Sequence, residues 1–237
     1  MKHLPVIDRA CITEIFSSLQ GEGPRMGERH IFIRFEACHM ACVYCDEAGK
    51  KAREMSPEEI LNEVVMLEKK SGPHAYVSLT GGEPLLYADF LRLLCPMLKK
   101  RKFRILLETS GVLWRQLPKV FGVCDVIAMD LKLASVTQQK EFLREHREFL
   151  KLARKKEIYI KIVVSEKVDV REYGKHLRMV AQIAPQTPVF LQPMSRGKRV
   201  YPEPSLMRLL DELQRTGAKR LADVRVGIQL QKIMNIR

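Results

Sequence analysis

The chain predicts an α/β fold, a partial (βα) barrel with a parallel sheet inside and helices outside. Three observations predict it. Short apolar strands alternate with amphipathic helices, and repeated βα units pair their strands in parallel. The 237 residues fit one such domain, because α/β barrels reach this size as single units. Polar residues recur directly after the apolar strands, at the rim where barrels of this kind gather their chemistry.

The elements follow in order. Residues 31–35, Ile-Phe-Ile-Arg-Phe, read as the first barrel strand. Ser56-Pro57-Glu58-Glu59 opens a helix: serine caps it, proline takes the first turn, and the acids face the positive end of the helix dipole. Ile60, Leu61, Val64, Val65 and Leu67 continue it at helical spacing. A strand is expected at 75–79, a helix at 89–100 and a strand at 103–107. A short helix at 113–118 leads to a strand at 126–129, and a helix at 137–153 to a strand at 158–164. A helix at 170–183 precedes a strand at 189–191, and a helix at 204–215 precedes a last strand at 223–226. No linker, low-complexity tract or internal duplication interrupts these βα steps, so residues 1–237 are expected to form one domain.

Composition narrows the function class. Apolar residues make up 46%, enough for a core. No apolar run reaches the ~18 residues of a membrane span. Met1-Lys2-His3-Leu4-Pro5 lacks the apolar region of a signal peptide, so a cytoplasmic protein without a membrane segment is expected. Six cysteines in a reducing compartment read as metal or redox chemistry rather than a disulfide frame. Cys11, Cys95 and Cys124 sit apart in apolar contexts and read as buried thiols. The net charge of +13, with runs at Lys99-Lys100-Arg101-Lys102, Arg154-Lys155-Lys156 and Arg196-Gly197-Lys198-Arg199, would attract anions. Solvated helix ends account for such runs, and no aromatic interleaving marks a nucleic-acid platform, so no direct nucleic-acid partner is expected.

Cys38, Cys42 and Cys45 form a C-x3-C-x2-C loop directly after the first barrel strand. Three thiolates can hold three irons of a 4Fe-4S cube and leave the fourth open to bind a small molecule and pass it an electron. A structural zinc takes four protein ligands, with His39 as the candidate fourth. Spacing favours the cluster and leaves zinc, a disulfide or inert thiols open.

The other polar residues fall at matching places. Thr80-Gly81-Gly82-Glu83-Pro84, Glu108-Thr109-Ser110-Gly111 and Asp130-Leu131-Lys132 follow the next three strands. Lys161 lies in the fifth, Gln192-Pro193 ends the sixth, and Gln229 follows the last. Two glycines let backbone approach a ligand closely, and Glu83 can accept from an ammonium group. As an isolated string the same residues would be an ordinary turn.

The three cysteines with Gly81-Gly82-Glu83-Pro84 resemble the radical S-adenosylmethionine superfamily. The resemblance implies a partial barrel of the radical SAM type and a 4Fe-4S cluster whose open iron chelates S-adenosylmethionine. Reductive cleavage of that cofactor then yields a 5′-deoxyadenosyl radical that abstracts hydrogen from the substrate. It implies Tyr44 beside the adenine, and Asp46, Gly82, Glu83, Ser110, Asp130, Lys132 and Gln192 as further cofactor-binding residues.

A narrower resemblance covers nearly the whole chain. Residues 15–24, Ile-Phe-Ser-Ser-Leu-Gln-Gly-Glu-Gly-Pro, with Arg34, Cys45-Asp46 and the segments at 80–84 and 108–111, are similar to the 7-carboxy-7-deazaguanine synthase (QueE) family. That implies conversion of 6-carboxy-5,6,7,8-tetrahydropterin to 7-carboxy-7-deazaguanine, a radical ring contraction with loss of ammonia, toward queuosine or related 7-deazapurines. It implies Mg2+, S-adenosylmethionine regenerated at each turnover, a homodimer, and a reducing electron donor of flavodoxin or ferredoxin type. Residues 11–29 become an N-terminal substrate-loop extension. Leu19, Gln20, Gly21, Glu22, Arg34, Thr80 and Gln229 are expected to bind the pterin. Gln20 offers both amide functions, Glu22 can accept from ring N–H groups, and Arg34 can clamp a carboxylate bidentately.

Two positions depart from that family. It usually has threonine after Cys-Asp, at the Mg2+; here Glu47 stands there and is expected to ligate Mg2+. It usually reads Gln-x-His-Lys near the C-terminus; here the residues are Gln229-Leu230-Gln231-Lys232. Two rival readings differ in class. One is an activase that makes a glycyl radical on a partner protein, a branch that also carries Asp-Leu-Lys. The other is a zinc-containing RNA-binding protein, suggested by the charge.

Overall fold

A computed structural model of the chain describes residues 8–45, 49–195 and 203–236. The strands are β1 (Ala10–Leu19), β2 (Arg29–Phe35), β3 (Arg53–Met55), β4 (Tyr76–Gly81), β5 (Ile105–Thr109), β6 (Val126–Asp130), β7 (Glu157–Val164), β8 (Val189–Pro193) and β9 (Val224–Val226). The helices are α1 (Pro57–Ser71), α2 (Ala88–Lys100), α3 (Leu117–Val120), α4 (Ala134–Thr137), α5 (Leu143–Ala153), α6 (Val170–Ile183), α7 (Pro204–Ala218) and α8 (Leu230–Ile233). All the described strands join one sheet in the order β3-β1-β2-β4-β5-β6-β7-β8-β9. From β2 through β9 neighbours are parallel and follow chain order. β1 runs antiparallel between β2 and β3. The barrel is partial: among the described residues the end strands β3 and β9 do not pair.

Strand periodicity explains how this sheet makes a site. Side chains alternate faces, so residues two apart share one. Leu106, Ala128, Tyr159 and Phe190, with Tyr76 and Val126, form an apolar cluster inside the barrel. Two residues further along the same strands stand Glu108, Asp130, Lys161 and Gln192, which line a cavity instead. The intervening Leu107, Met129, Ile160 and Leu191 point outward into the large core under the helices. One register therefore seals the barrel floor and sets polar groups at its rim.

Local signals behave as their chemistry requires. Ser56 accepts from the Glu59 amide at 3.3 Å, and the Glu59 carboxylate accepts from the Ser56 amide at 2.7 Å, a reciprocal cap on α1. Asp169 caps α6 through the amides of Arg171 and Glu172.

Four elements differ from expectation. Of the segment read as a loop extension, residues 11–19 belong to a full strand. Ala10, Ile12, Phe16 and Ser18 of β1 are buried, an alternation shifted once by a bulge between Ile12 and Glu14. Only 20–28 is irregular. The helix expected at 137–153 begins only at Leu143, after a separate turn, α4. Gln138 takes a left-handed φ of 57°, ending α4, and α5 restarts at Leu143. The Glu172 carboxylate, brought across from α6, accepts from the amides of Ala134 and Ser135 and pins that first turn. The helix expected at 113–118 starts later, at Leu117, because Pro118 lacks the N–H that only a first turn can spare. α8 was not expected; it is a single turn without a buried residue.

Candidate active site

Two linked hollows open at the C-terminal rim. The smaller, about 170 Å³, is lined by Cys38, Cys42 and Cys45 together with Tyr44, Gly82, Ser110, Asp130 and Lys132. The larger, about 1340 Å³, is lined by Leu19, Gln20, Gly21, Glu22, Arg34, Thr80, Lys161, Gln192 and Gln229, among others. Tyr44, Thr80, Glu108, Asp130 and Lys132 border both, so the hollows share a wall.

The cysteine loop is tied at its root by the glycine segment and further on by Gln139, which donates to the Ala41 carbonyl at 3.0 Å. Gly82 N–H donates to the Phe35 carbonyl at 2.7 Å, and Glu83 N–H to the Ala37 carbonyl at 2.8 Å. A Cβ on Gly82 would stand 2.3 Å from the Ala37 oxygen. The glycine thus lets backbone approach backbone at the root of the loop.

Glu83 is tied closely to its neighbours. Its buried carboxylate accepts from Thr109 Oγ1 at 2.8 Å, Ser110 N at 2.8 Å, Ser110 Oγ at 2.5 Å and Leu85 N at 3.1 Å. Glu83 lines neither hollow. Thr109 and Ser110 tie it to the end of β5 and Leu85 holds it locally, so the side chain positions Ser110.

The three thiols surround a volume rather than a point. Among the described residues no three His, Cys, Asp or Glu side chains converge closely enough for a single metal ion. A cube whose irons each take one thiolate asks for the former arrangement. Burial raises the pKa of Cys38 and Cys42, and the Lys132 ammonium opposes that rise at both. The residues present therefore fit a cluster at Cys38, Cys42 and Cys45. Tyr44 stands next to them with Lys132 Nζ 5.7 Å from its ring centre, and burial pushes its hydroxyl up to about 12. Asp46 and Glu47, expected at cofactor and Mg2+, lie outside the described residues, as does the basic run at 196–199.

The larger hollow is organised around one lysine. Lys161 Nζ lies 2.8 Å from Glu22, 3.3 Å from Glu108 and 3.6 Å from Asp130, with its side chain 7% exposed. Asp130 also holds Lys132 Nζ at 2.9 Å. The other oxygen of Glu22 accepts from Gln192 at 3.0 Å, Gln229 at 2.9 Å and Gln231 at 3.2 Å. Gln20 donates to Glu108 at 3.0 Å and accepts from the Glu22 amide at 3.2 Å. Burial alone would raise the Glu22 pKa; the Lys161 ammonium and the glutamine amides reverse this and hold it at about 2.

The structure thus gathers Gln20, Glu22, Gln192 and Gln229 at one spot. Gln192, expected at the cofactor, meets Glu22 and does not line the cysteine pocket. Arg34 faces the larger hollow, donates to Glu14 at 2.7 Å and lies 4.8 Å from the Phe16 ring centre. The sequence pointed to no role for Glu14, placed Glu108 and Lys161 only by their strands, and marked Gln231 only as a departure from the family pattern. For Glu108 and Lys161 a signal existed: each stands two residues after a buried residue of the barrel floor. The contact of Gln231 with Gly21, whose Cβ would stand 1.6 Å from Gln231 Oε1, had no sequence signal.

Comparison with known proteins agrees with this arrangement. Residues 32–179 match the model of the Radical SAM superfamily. A 7-carboxy-7-deazaguanine synthase from Geobacter sulfurreducens is 33% identical, over 94% of this chain and 96% of its own. One from Methanocaldococcus jannaschii is 28% identical, over 95% and 99%. The crystal structure of QueE from Escherichia coli, 23% identical, shares the fold with a TM-score of 0.65, over 92% of this chain and 94% of that one.

Proposed function

Because the chain belongs to the 7-carboxy-7-deazaguanine synthase family of the radical SAM superfamily, we propose that it makes 7-carboxy-7-deazaguanine. The substrate is 6-carboxy-5,6,7,8-tetrahydropterin, and the reaction contracts its ring with loss of ammonia, a carbon–nitrogen lyase activity. One observation carries the reading. The cysteine pocket shares a wall with a cavity whose groups suit a planar, donor-rich ring bearing one carboxylate.

The cluster and S-adenosylmethionine supply the radical when bound. The protein supplies position and electrostatics. Cys38, Cys42 and Cys45 would hold the cluster. Gly82, Ser110, Asp130 and Lys132 would hold S-adenosylmethionine, with Tyr44 beside its adenine. Glu22, Glu108 and Gln20 would take the donor and acceptor edge of the pterin, and Arg34 its carboxylate. A ring presenting N–H groups to Glu22 competes with the glutamines now donating to it, so Gln192, Gln229 and Gln231 are the groups that shift on binding. Thr80 and Leu19 complete the wall.

Mg2+ is assigned to Glu47 on residue chemistry: Mg2+ sites commonly use one or two carboxylates with substrate oxygens. A flavodoxin or ferredoxin type donor and a homodimer complete the proposal. Among the described residues no helix is long and apolar enough to cross a membrane. Anaerobic protein reconstituted with iron and sulfide, then given reductant, S-adenosylmethionine, Mg2+ and the carboxypterin, should release 7-carboxy-7-deazaguanine by mass. About four irons and four sulfides should be present per chain. Stoichiometric zinc with little iron, or S-adenosylmethionine consumed without that product, would overturn it.

A further inference from the structure

Lys161 sits where three carboxylates meet. Glu22 comes from the loop after β1, Glu108 from β5 and Asp130 from β6, and each keeps one oxygen on or near the ammonium. Each second oxygen meets other donors. That of Glu22 accepts from three glutamines, that of Glu108 from Gln20, and that of Asp130 from Lys132. Three acids with Lys161 and Lys132 leave the cluster one negative charge in excess. Of the other groups facing the ammonium, Tyr159 lies two residues back on β7, and burial pushes its hydroxyl pKa well up, so it stays neutral.

We propose that Lys161 is a positioning residue that keeps Glu22 ionised and holds Glu22 and Glu108 aimed into the cavity as acceptors for the N–H edge of the substrate ring. The identity of that ring rests on the function proposed above; the charge state of the acids does not. The reason is electrostatic. Carboxylates crowded into a low-dielectric wall cannot all ionise without a compensating charge, and one takes up a proton. A protonated acid donates where the ring also donates, and that edge loses a partner. Lys161 also touches Asp130, whose other oxygen holds Lys132 at the cysteine pocket. Loss of Lys161 therefore affects substrate more than S-adenosylmethionine, which keeps the Asp130–Lys132 pair.

The test uses the reconstituted holoenzyme and three variants, Lys161→Met, Lys161→Gln and Lys161→Arg. Isotope-edited infrared spectra of protein carrying 13C-carboxyl glutamate report acid protonation between pH 5 and 8, without substrate. Lys161→Met should gain a protonated glutamic acid in that range, absent from wild type and from Lys161→Arg. Its KM for the carboxypterin should rise by about 10- to 100-fold, the scale of one hydrogen bond to a charged group, and most at low pH. kcat and S-adenosylmethionine affinity should change far less. If Lys161→Met does not fold, Lys161→Gln carries the same test, because it too is neutral. A neutral variant with no new protonated acid and a flat pH profile overturns the proposal. If wild type does not turn over the carboxypterin, the function reading fails, while the infrared result still decides the role of Lys161.

Discussion

Lys161 and Glu22 stand 139 residues apart in the chain and 2.8 Å apart in the fold. Their contact joins the loop after β1 to the middle of the barrel and closes one wall of the larger hollow. The loop also turns its other end to the barrel floor, where Arg25 lies 5.2 Å from the Tyr76 ring centre and pairs with Glu157. The segment carrying Gln20 and Glu22 is thus anchored at both ends, which suits groups that must meet a small ring without moving.

Arg34 is expected to clamp the substrate carboxylate while Glu14 steadies its guanidinium. Arg34→Ala should raise KM for the carboxypterin by about 1.5–3 kcal/mol, the scale of a hydrogen bond between charged groups. Arg34→Lys should recover only part of that, because a point charge does not replace a planar fork. S-adenosylmethionine affinity, measured by equilibrium dialysis, should stay unchanged. Loss of cofactor binding with substrate binding intact would reassign Arg34.

Two glycine substitutions should fail differently. In Gly82→Ala the new methyl meets the Ala37 carbonyl, which is backbone, so the strand end and the cysteine loop must part. A cost of about 1–3 kcal/mol is expected, with iron content reduced after reconstitution. In Gly21→Ala the methyl meets the end of the Gln231 side chain, which can rotate away. Thermal stability should barely change, while the Gln231–Glu22 hydrogen bond is lost and KM rises. Gly21→Ala and Gln231→Ala should then be strongly non-additive, because both remove one contact.

Acid should destabilise the fold well before the carboxylates titrate. Burial, with His176 close by, lowers His146 to about 3, and burial lowers His30 to about 4. Both would titrate near 6.5 in the unfolded chain. A lowered folded pKa gives stability that is full above 6.5 and is lost as pH falls toward the folded value. Each histidine then costs about 1.4 kcal/mol per pH unit over that range. Denaturant unfolding at pH 7.5 and pH 5 should show this loss, and His146→Gln should remove close to one proton from the linkage. An unchanged slope in that variant would contradict the assignment. Glu22, also held low, loses its contribution only as pH falls from about 4 to about 2.

Glu47 gives a test by metal removal. If its carboxylate binds Mg2+, chelation should slow wild-type turnover, Glu47→Gln should need more Mg2+, and Glu47→Thr should keep Mg2+ stimulation. Turnover insensitive to chelator in wild type and unchanged in Glu47→Gln would show a solvated acid instead.

Much of this protein was legible in its sequence alone. A cysteine spacing, a glycine pair and a βα rhythm are local, and local chemistry dictated them. They marked Cys38, Cys42 and Cys45 as one group, which the fold sets around one pocket, and gave the barrel, the helix cap at Ser56 and the rim on which Thr80, Ser110 and Asp130 fall. What only the tertiary structure decided is partnership. Glu83 meets Thr109 and Ser110 at the end of the next strand, a partnership no local signal announces. Gln192 meets Glu22 because the end of its strand faces the loop after β1. A helix expected from residue 137 starts only at Leu143, and Glu172 from another helix holds the separate turn before it. The physical reason is common to all three. Strand periodicity says which face a residue takes, but the partner it meets there depends on strand order, register and loop path, which bring together residues far apart in the chain.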